Sequence, residues 1–95
     1  MTRIAERTVL FADLRGSTSL YERLGNAEAT SVITHTVNAL GGSVRDSGGQ
    51  VIKTLGDGLM AVFDMPAQGV EAAARMHEAL EQLVQQRAAL RNQLL

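Results

Sequence analysis

The chain has 95 residues, a formal net charge of −1 and no cysteine, which fits one small domain without disulfide bonds or thiolate metal sites. Its balanced charge, one tyrosine and two phenylalanines argue against a nucleic-acid partner, because such surfaces are basic and rich in stacking side chains. The first eleven residues, MTRIAERTVLF, lack the apolar core that a signal peptide requires, and no apolar run in the sequence is long enough to span a membrane. We therefore expect a cytoplasmic protein with no membrane insertion in this segment.

The first predicted element is a β-strand. Residues 7–14, RTVLFADL, are β-rich and almost continuously apolar, the pattern typical of a central strand covered on both faces. Ser17 and Thr18 follow and are expected to cap a short helix through their side-chain oxygens, with Gly25 at its end.

A second, longer helix is predicted next, with Asn26 as its N-cap. Gly41 and Gly42 would normally end it, but apolar residues keep three- and four-residue spacing straight through the pair. These residues are Ala29, Val32, Ile33, Val37, Leu40 and Val44. We therefore extend the predicted helix to about Asp46, before the Ser-Gly-Gly sequence that ends it.

The C-terminal half predicts a β-hairpin followed by a long helix. QVIKTL and LMAVF are two β-type runs joined by a Gly-Asp-Gly turn, which is typical of a hairpin. From Ala67 onward the pattern is helical. Its apolar stripe consists of Met76, Leu80, Leu83, Leu90 and Leu94. Such a stripe usually packs into a core.

This order of elements predicts a mixed α/β fold of the ferredoxin-like, split β-α-β type, with the third strand antiparallel between the first and the second. We expect an incomplete antiparallel sheet with helices packed on it. The end of the first strand then lies beside the start of the third, which brings Asp13 and Asp57 to one sheet edge. Two adjacent carboxylates repel each other unless a cation lies between them, and their hard oxygen atoms suit Mg²⁺ or Mn²⁺.

Two motifs resemble a known family. FADLRGST, followed by KTLGDGLMAVF, is similar to the N-terminal half of the catalytic domain of class III nucleotidyl cyclases, the adenylyl and guanylyl cyclases. The match covers about residues 8–63 and continues more loosely into the helix at about 67–94, so we expect residues 1–95 to form one partial domain. The resemblance implies an enzyme of signal transduction that converts a nucleoside triphosphate into a 3′,5′-cyclic nucleotide and pyrophosphate.

The resemblance implies a metal-binding role for Asp13 and Asp57, with the backbone carbonyl of Leu14 as a further ligand. Two Mg²⁺ or Mn²⁺ ions held there would activate the ribose 3′-hydroxyl and neutralise the triphosphate. Each carboxylate also has a simpler interpretation, since Asp13 could cap the following helix and Asp57 could serve the turn. The joint occurrence of both motifs favours the metal site.

The resemblance also implies a nucleotide-binding surface. Backbone N–H groups of Gly16, Ser17 and Thr18, at the start of a helix, would face the phosphates. Lys53 matches the position that contacts the purine, and a lysine there resembles the ATP-selective members, because an ammonium donates to adenine N1. The Gly-Ser-Thr sequence would also cap a helix without phosphate, and Lys53 could be a solvated strand lysine.

One departure from the family pattern follows the long helix. In the family, later strands carry an asparagine, an arginine and a second purine contact that complete an active site formed between two chains, and this chain reaches Leu95 still in predicted helix. We therefore expect a partial adenylate cyclase domain that is inactive alone and forms a homodimer or otherwise self-associates. The alternative is a non-catalytic nucleotide-binding, metal-binding or dimerisation module derived from a cyclase. A diguanylate cyclase is disfavoured, because LGDGL lacks the Gly-Gly-Asp/Glu-Glu-Phe signature of that family.

Overall fold

The structure is a computed structural model that describes the backbone of residues 6–94 and the side chains of residues 6–86. The described elements are, in chain order, β1 (Thr8–Asp13), α1 (Ser17–Leu24), α2 (Asn26–Asp46), β2 (Gln50–Thr54), β3 (Gly58–Phe63) and α3 (Pro66–Leu94). Their order is the one that the sequence predicts.

The described strands form one antiparallel sheet in the order β1-β3-β2. Because β3 is antiparallel to both neighbours, β1 and β2 run parallel to each other, and α1 and α2 connect them as a crossover. The predicted split β-α-β arrangement and mixed α/β class are confirmed. The end of β1 lies beside the beginning of β3, where Asp13 pairs with Gly58.

The hydrophobic core lies between one face of the sheet and the helices. α2 and α3 pack on this face, and α1 packs against α2. The buried core side chains are Ile33, Val37, Leu40, Val44, Leu59, Ala61, Phe63, Ala72 and Met76. Burying one large apolar side chain stabilises a fold by about 1.5–3 kcal/mol, so the contact between these layers is the main stabilising feature.

The opposite face of the sheet, here called the open face, is not covered by any described helix. It carries Val9 and Phe11 of β1, which are 48% and 69% exposed, and their register partners Val62 and Met60 of β3, because cross-strand partners share a face. The prediction that β1 is a central strand covered on both faces is therefore wrong. Among the described strands, β1 lies at an edge of the sheet, and its residues alternate between half-buried and exposed.

α2 runs without interruption from Asn26 to Asp46, through Gly41 and Gly42, as predicted. Burial of its apolar stripe outweighs the roughly 1 kcal/mol that each interior glycine costs relative to alanine. Gly41 is itself buried, and a Cβ added there would lie 3.6 Å from Cγ2 of Val51. The helix therefore approaches β2 closely at this point.

The starts of α1 and α2 differ from the predicted caps. Gly16 is the N-cap of α1 and Gly25 is the N-cap of α2, and no side chain forms a capping hydrogen bond at either position. Both glycines have positive φ angles, 79° and 82°, which glycine adopts at little cost. Capping by Ser17, Thr18 and Asn26 was thus a wrong prediction, because the chain turns into each helix one residue earlier through a glycine.

α3 begins at Pro66, one residue before the predicted start, in keeping with the preference of proline for the first helical turn. Its 29 residues give a length of about 44 Å. Met76 is buried, and Leu80 and Leu83 are half-buried, whereas the side chains of the last two stripe residues, Leu90 and Leu94, lie outside the described ones. None of the described helices combines the length and the apolar character that crossing a membrane requires.

Gly49 offers a test of how tightly the connection between α2 and β2 packs on the sheet. An added Cβ at Gly49 would overlap the ring of Phe63, which is 1% exposed and cannot move aside freely. We expect Gly49→Ala to lower the free energy of unfolding by about 1–3 kcal/mol, as overpacking does. Urea unfolding followed by circular dichroism measures this change.

Gly42→Ala is the matched control, because a Cβ at Gly42 would have nothing within 4 Å. Alanine is the better helix former there, so this variant should gain about 0.5–1 kcal/mol. Equal unfolding midpoints for the two variants would contradict the described packing.

Candidate metal- and nucleotide-binding site

Asp13 and Asp57 lie on adjoining segments at one end of the sheet. Asp13 is the last residue of β1 and pairs with Gly58, the first residue of β3. One residue further along, the N–H of Leu14 donates a 2.9 Å hydrogen bond to the backbone carbonyl of Asp57. The contact between the two segments therefore continues past the strands, and it brings these two acidic residues together although they are far apart in the sequence.

Asp57 lies in a two-residue hairpin turn. Leu55 and Gly58 exchange both of their backbone hydrogen bonds, at 2.8 and 3.2 Å. Gly56 has a φ of 59°, and no non-glycine residue of the described chain has a positive φ, which is the pattern of a type II′ turn. The predicted hairpin is confirmed, and its tight turn fixes the backbone of Asp57 beside the end of β1.

The carboxylate of Asp13 lies against the backbone of Gly58. A Cβ added to Gly58 would stand 2.9 Å from Oδ1 of Asp13 and would overlap the carbonyl oxygen of Ala12. Any side chain at this position would push both groups away. Glycine at position 58 thus allows β1 and its terminal carboxylate to lie close to the turn.

The side chain of Ser17 contacts the second carboxylate. Its Oγ lies 2.9 Å from Oδ2 of Asp57, and the hydroxyl is the donor because an ionised carboxylate can only accept. This contact was not predicted from the sequence, because the Ser17 hydroxyl was expected to cap the helix. The signal that could have revealed it is the predicted strand pairing, which sets the segment after β1 opposite the turn.

Neither carboxylate forms an ion pair within the described residues. The salt bridges found there are Arg7–Asp64, beyond the opposite end of β1, and Arg75–Glu71 on α3. The side chain of Asp13 is exposed and that of Asp57 is half-buried. Their negative charge is therefore not compensated by a neighbouring basic side chain in this part of the chain.

The donor set suits a hard divalent cation. The two carboxylates supply oxygen ligands. The backbone carbonyl of Leu14 is a third available oxygen, because it accepts no hydrogen bond from the described residues. Mg²⁺ commonly binds through one or two carboxylates and takes its other ligands from water and phosphate. Nowhere in residues 6–86 do three or more His, Cys, Asp or Glu side chains converge in a way that could hold a metal. A cation at this site would thus depend on water or on a nucleotide for its remaining ligands.

The start of α1 presents backbone N–H groups beside the turn. Gly16 is the N-cap, with φ 79° and ψ 16°, and no side chain caps the helix. The carbonyl of Gly16 accepts a 3.1 Å hydrogen bond from the N–H of Leu20. In the first turn of a helix, N–H groups such as those of Ser17 and Thr18 have no intrahelical partner. Together with the helix dipole they suit a negatively charged group.

Lys53 lies on the open face, on a strand that β3 separates from Asp13. A register shift leaves Ile52 as an extra residue in β2, so that Lys53 pairs with Met60, and Met60 pairs with Phe11. These partners form a row across the sheet on the face that also carries Asp13. β1 and β2 are two strand spacings apart, or about 10 Å. Lys53 is thus on the same face as Asp13 but does not meet it.

A family model for the adenylate and guanylate cyclase catalytic domain matches residues 1–93. The chain belongs to this family. A protein named adenylate cyclase from Anabaena cylindrica is 31% identical over 85% of this chain, and the chain spans 16% of the length of that relative. The resemblance predicted from the two motifs is therefore confirmed, and in this cyclase domain the motifs lie on β1 with the start of α1 and on the β2–β3 hairpin.

Proposed function

We propose that this cyclase domain is of the adenylate type, converting ATP into 3′,5′-cyclic AMP and pyrophosphate. The observation that carries the proposal is the juxtaposition of Asp13 and Asp57 where β1 meets the β2–β3 turn. Membership of the cyclase family and the name of the Anabaena relative support it. Within this proposal, residues 8–63 supply the metal- and triphosphate-binding part of the site.

Asp13, Asp57 and the carbonyl of Leu14 would hold two Mg²⁺ or Mn²⁺ ions. Bound metal supplies Lewis-acid activation of the ribose 3′-hydroxyl and neutralises charge on the triphosphate. The contribution of the chain is to hold the oxygen ligands in place beforehand. The strand pairing at Asp13 and the hydrogen bond between Leu14 and Asp57 fix the backbones of both segments, so little rearrangement is needed on binding.

The start of α1 would bind the triphosphate. The N–H groups of Gly16, Ser17 and Thr18 can donate to phosphate oxygens, and the helix dipole favours negative charge at this end. These groups adjoin Asp57 through the hydrogen bond from Ser17. Phosphate oxygens bound here would lie close enough to the carboxylates to complete the ligand set of a shared cation.

Lys53 would select the base. Its ammonium donates hydrogen bonds, so it matches the acceptor N1 of adenine and opposes the N–H donors that guanine presents at the same edge. Its position on the open face, about 10 Å across the sheet from β1, suits a nucleotide that lies over this face. The phosphates and the base would then contact different strands.

The open face would pair with a second copy of the chain. Val9 and Phe11 are 48% and 69% exposed, and large apolar side chains exposed together on one face are typical of an interaction surface. A homodimer covering this face would place the candidate site at its interface. The same face also supports the alternative function, a dimerisation module without catalytic activity. Such a module would pair in the same way without binding Mn²⁺ or nucleotide, so the binding experiments below distinguish the two.

The metal site is tested by removing each carboxylate charge. We expect Asp13→Asn and Asp57→Asn each to weaken Mn²⁺ binding to the chain by about 10²-fold or more. Removing a residue that only hydrogen-bonds to a metal ligand typically costs 10- to 100-fold in affinity, and removing the charge of the ligand itself should cost at least the upper end of that range. Titration with Mn²⁺, followed by electron paramagnetic resonance of the free ion, measures the affinity.

Asp46→Asn is the control for this experiment. It removes the same charge from an exposed residue at the end of α2, and it should leave Mn²⁺ binding unchanged. Equal affinities for all three variants would contradict a shared site at Asp13 and Asp57.

The base preference is tested by Lys53→Glu. Because the loss of a charged hydrogen bond costs roughly 1.5–3 kcal/mol, we expect the ratio of ATP to GTP affinity to fall about tenfold or more. Competition with a fluorescent nucleotide in the presence of Mg²⁺ measures this ratio. Gln50→Glu, which adds a carboxylate to the same exposed strand, should leave the ratio as in the wild type. An unaltered ratio in Lys53→Glu would make Lys53 an ordinary surface residue.

We expect the 95-residue polypeptide to self-associate and to show no appreciable cyclase activity. The resemblance places the transition-state donors on later strands, and losing one such donor commonly costs about 10²–10³ in rate.

Self-association is measured separately. Light scattering should report a dimer or larger species, and Phe11→Glu should shift the protein to the monomer. Val70→Glu changes a side chain of α3 that is 72% exposed and should not. A stable wild-type monomer would contradict the pairing, and robust cyclic AMP production would contradict the inactivity.

A further inference from the structure

We infer that Ser17 is a positioning residue for Asp57: its hydroxyl holds the carboxylate in one orientation and ties the hairpin turn to the start of α1. The inference deepens the proposed function and rests on it. The contact that carries it is the 2.9 Å hydrogen bond from Ser17 Oγ to Asp57 Oδ2, between residues 40 positions apart in the chain.

The location of Asp57 explains why its carboxylate needs a partner. The residue occupies a two-residue turn, where the backbone is fixed by the exchange between Leu55 and Gly58 and by the bond from Leu14 N–H to the Asp57 carbonyl. These contacts leave the side chain free to rotate about its own bonds. Within the described residues, the hydroxyl of Ser17 is the hydrogen-bond partner of this carboxylate. The segment after β1 therefore holds both the backbone and the side chain of Asp57.

The hydrogen bond is compatible with metal binding. A carboxylate has two oxygen atoms with about four acceptor positions, and the hydroxyl occupies one of them on Oδ2. Oδ1 has no hydrogen-bond partner among the described residues, so it remains available to a cation. Hydrogen bonds from neighbouring groups commonly orient carboxylate ligands in this way, and their loss typically costs 10- to 100-fold in metal affinity.

The neighbouring hydroxyls do not share this role. Ser17 is half-buried, whereas Thr18 and Ser19 are exposed, and neither of their side chains forms a hydrogen bond within the described chain. Ser17 is the first residue of α1, which sets its side chain at the boundary between the helix and the turn. Of the three hydroxyl groups at the start of α1, the one at position 17 contacts Asp57.

The test compares Mn²⁺ affinity among matched variants of the chain. We expect Ser17→Ala to bind Mn²⁺ about tenfold more weakly than the wild type, Ser17→Thr to restore most of the affinity, and Ser19→Ala to match the wild type. Because Ser17 acts through Asp57, adding Ser17→Ala to Asp57→Asn should cause no further loss. Equal binding by Ser17→Ala and Ser19→Ala, with Asp57→Asn still weakened, would overturn the inference and leave the proposed metal site standing.

Hydrogen exchange of the Leu14 amide gives a second readout that requires no metal. This amide donates to the carbonyl of Asp57, so loss of the side-chain contact should loosen the turn and speed its exchange in Ser17→Ala but not in Ser19→Ala. Unchanged exchange in Ser17→Ala would overturn the positioning role. A wild-type chain that binds no Mn²⁺ would instead contradict the proposed function, and the exchange rates would still decide whether Ser17 holds the turn.

Discussion

The antiparallel register between β1 and β3 is the constraint on which both the core and the candidate site depend. It pairs Leu10 with Ala61 on the helix-covered face and Asp13 with Gly58 at the end of the sheet. A slip by one residue would exchange the two faces of β1, turning Leu10 outward and Asp13 toward the helices. Gly58 helps to hold this register, because β1 approaches it too closely for any side chain. The burial that stabilises the sheet therefore also sets the position of the first carboxylate.

Much of the fold could be predicted from the sequence, because periodicity and turn residues are strong local signals. The apolar spacing across Gly41 and Gly42 correctly predicted that α2 continues, since a buried stripe outweighs two weak helix formers. The apolar run of β1 was a weaker guide. It indicates a strand but does not reveal which faces are covered, and Val9 and Phe11 lie on the open one. Helix starts were also missed, because positive φ angles at glycines decided them.

The parts of the candidate site that depend on the order and pairing of the strands could be predicted from the sequence, whereas the parts that depend on local backbone geometry could not. The crossover places the end of β1 beside the hairpin turn in any split β-α-β fold, so the order of the elements was enough to predict that Asp13 and Asp57 lie close together. Lys53 is different. If side chains alternated regularly along β2, Lys53 would share the core-facing side of the sheet with Val51, which pairs with the buried Ala61. The register shift at Ile52 moves it to the open face. The hydrogen bond from Ser17 to Asp57 likewise depends on where a helix begins relative to a turn.

The open face places apolar side chains and candidate ligand-binding groups on one surface. Phe11 and Met60 lie between Lys53 and the end of β1, so a partner that covers the apolar residues would also exclude water from the proposed nucleotide. Charged contacts are stronger in such a setting than beside open solvent. A nucleotide bound between two copies would in turn favour their association, because linkage between two binding events is reciprocal. Under the proposed function, association of two chains through this face and nucleotide binding are therefore coupled. The nucleotide affinity of a single chain in solution is then a lower bound for the nucleotide affinity of the pair.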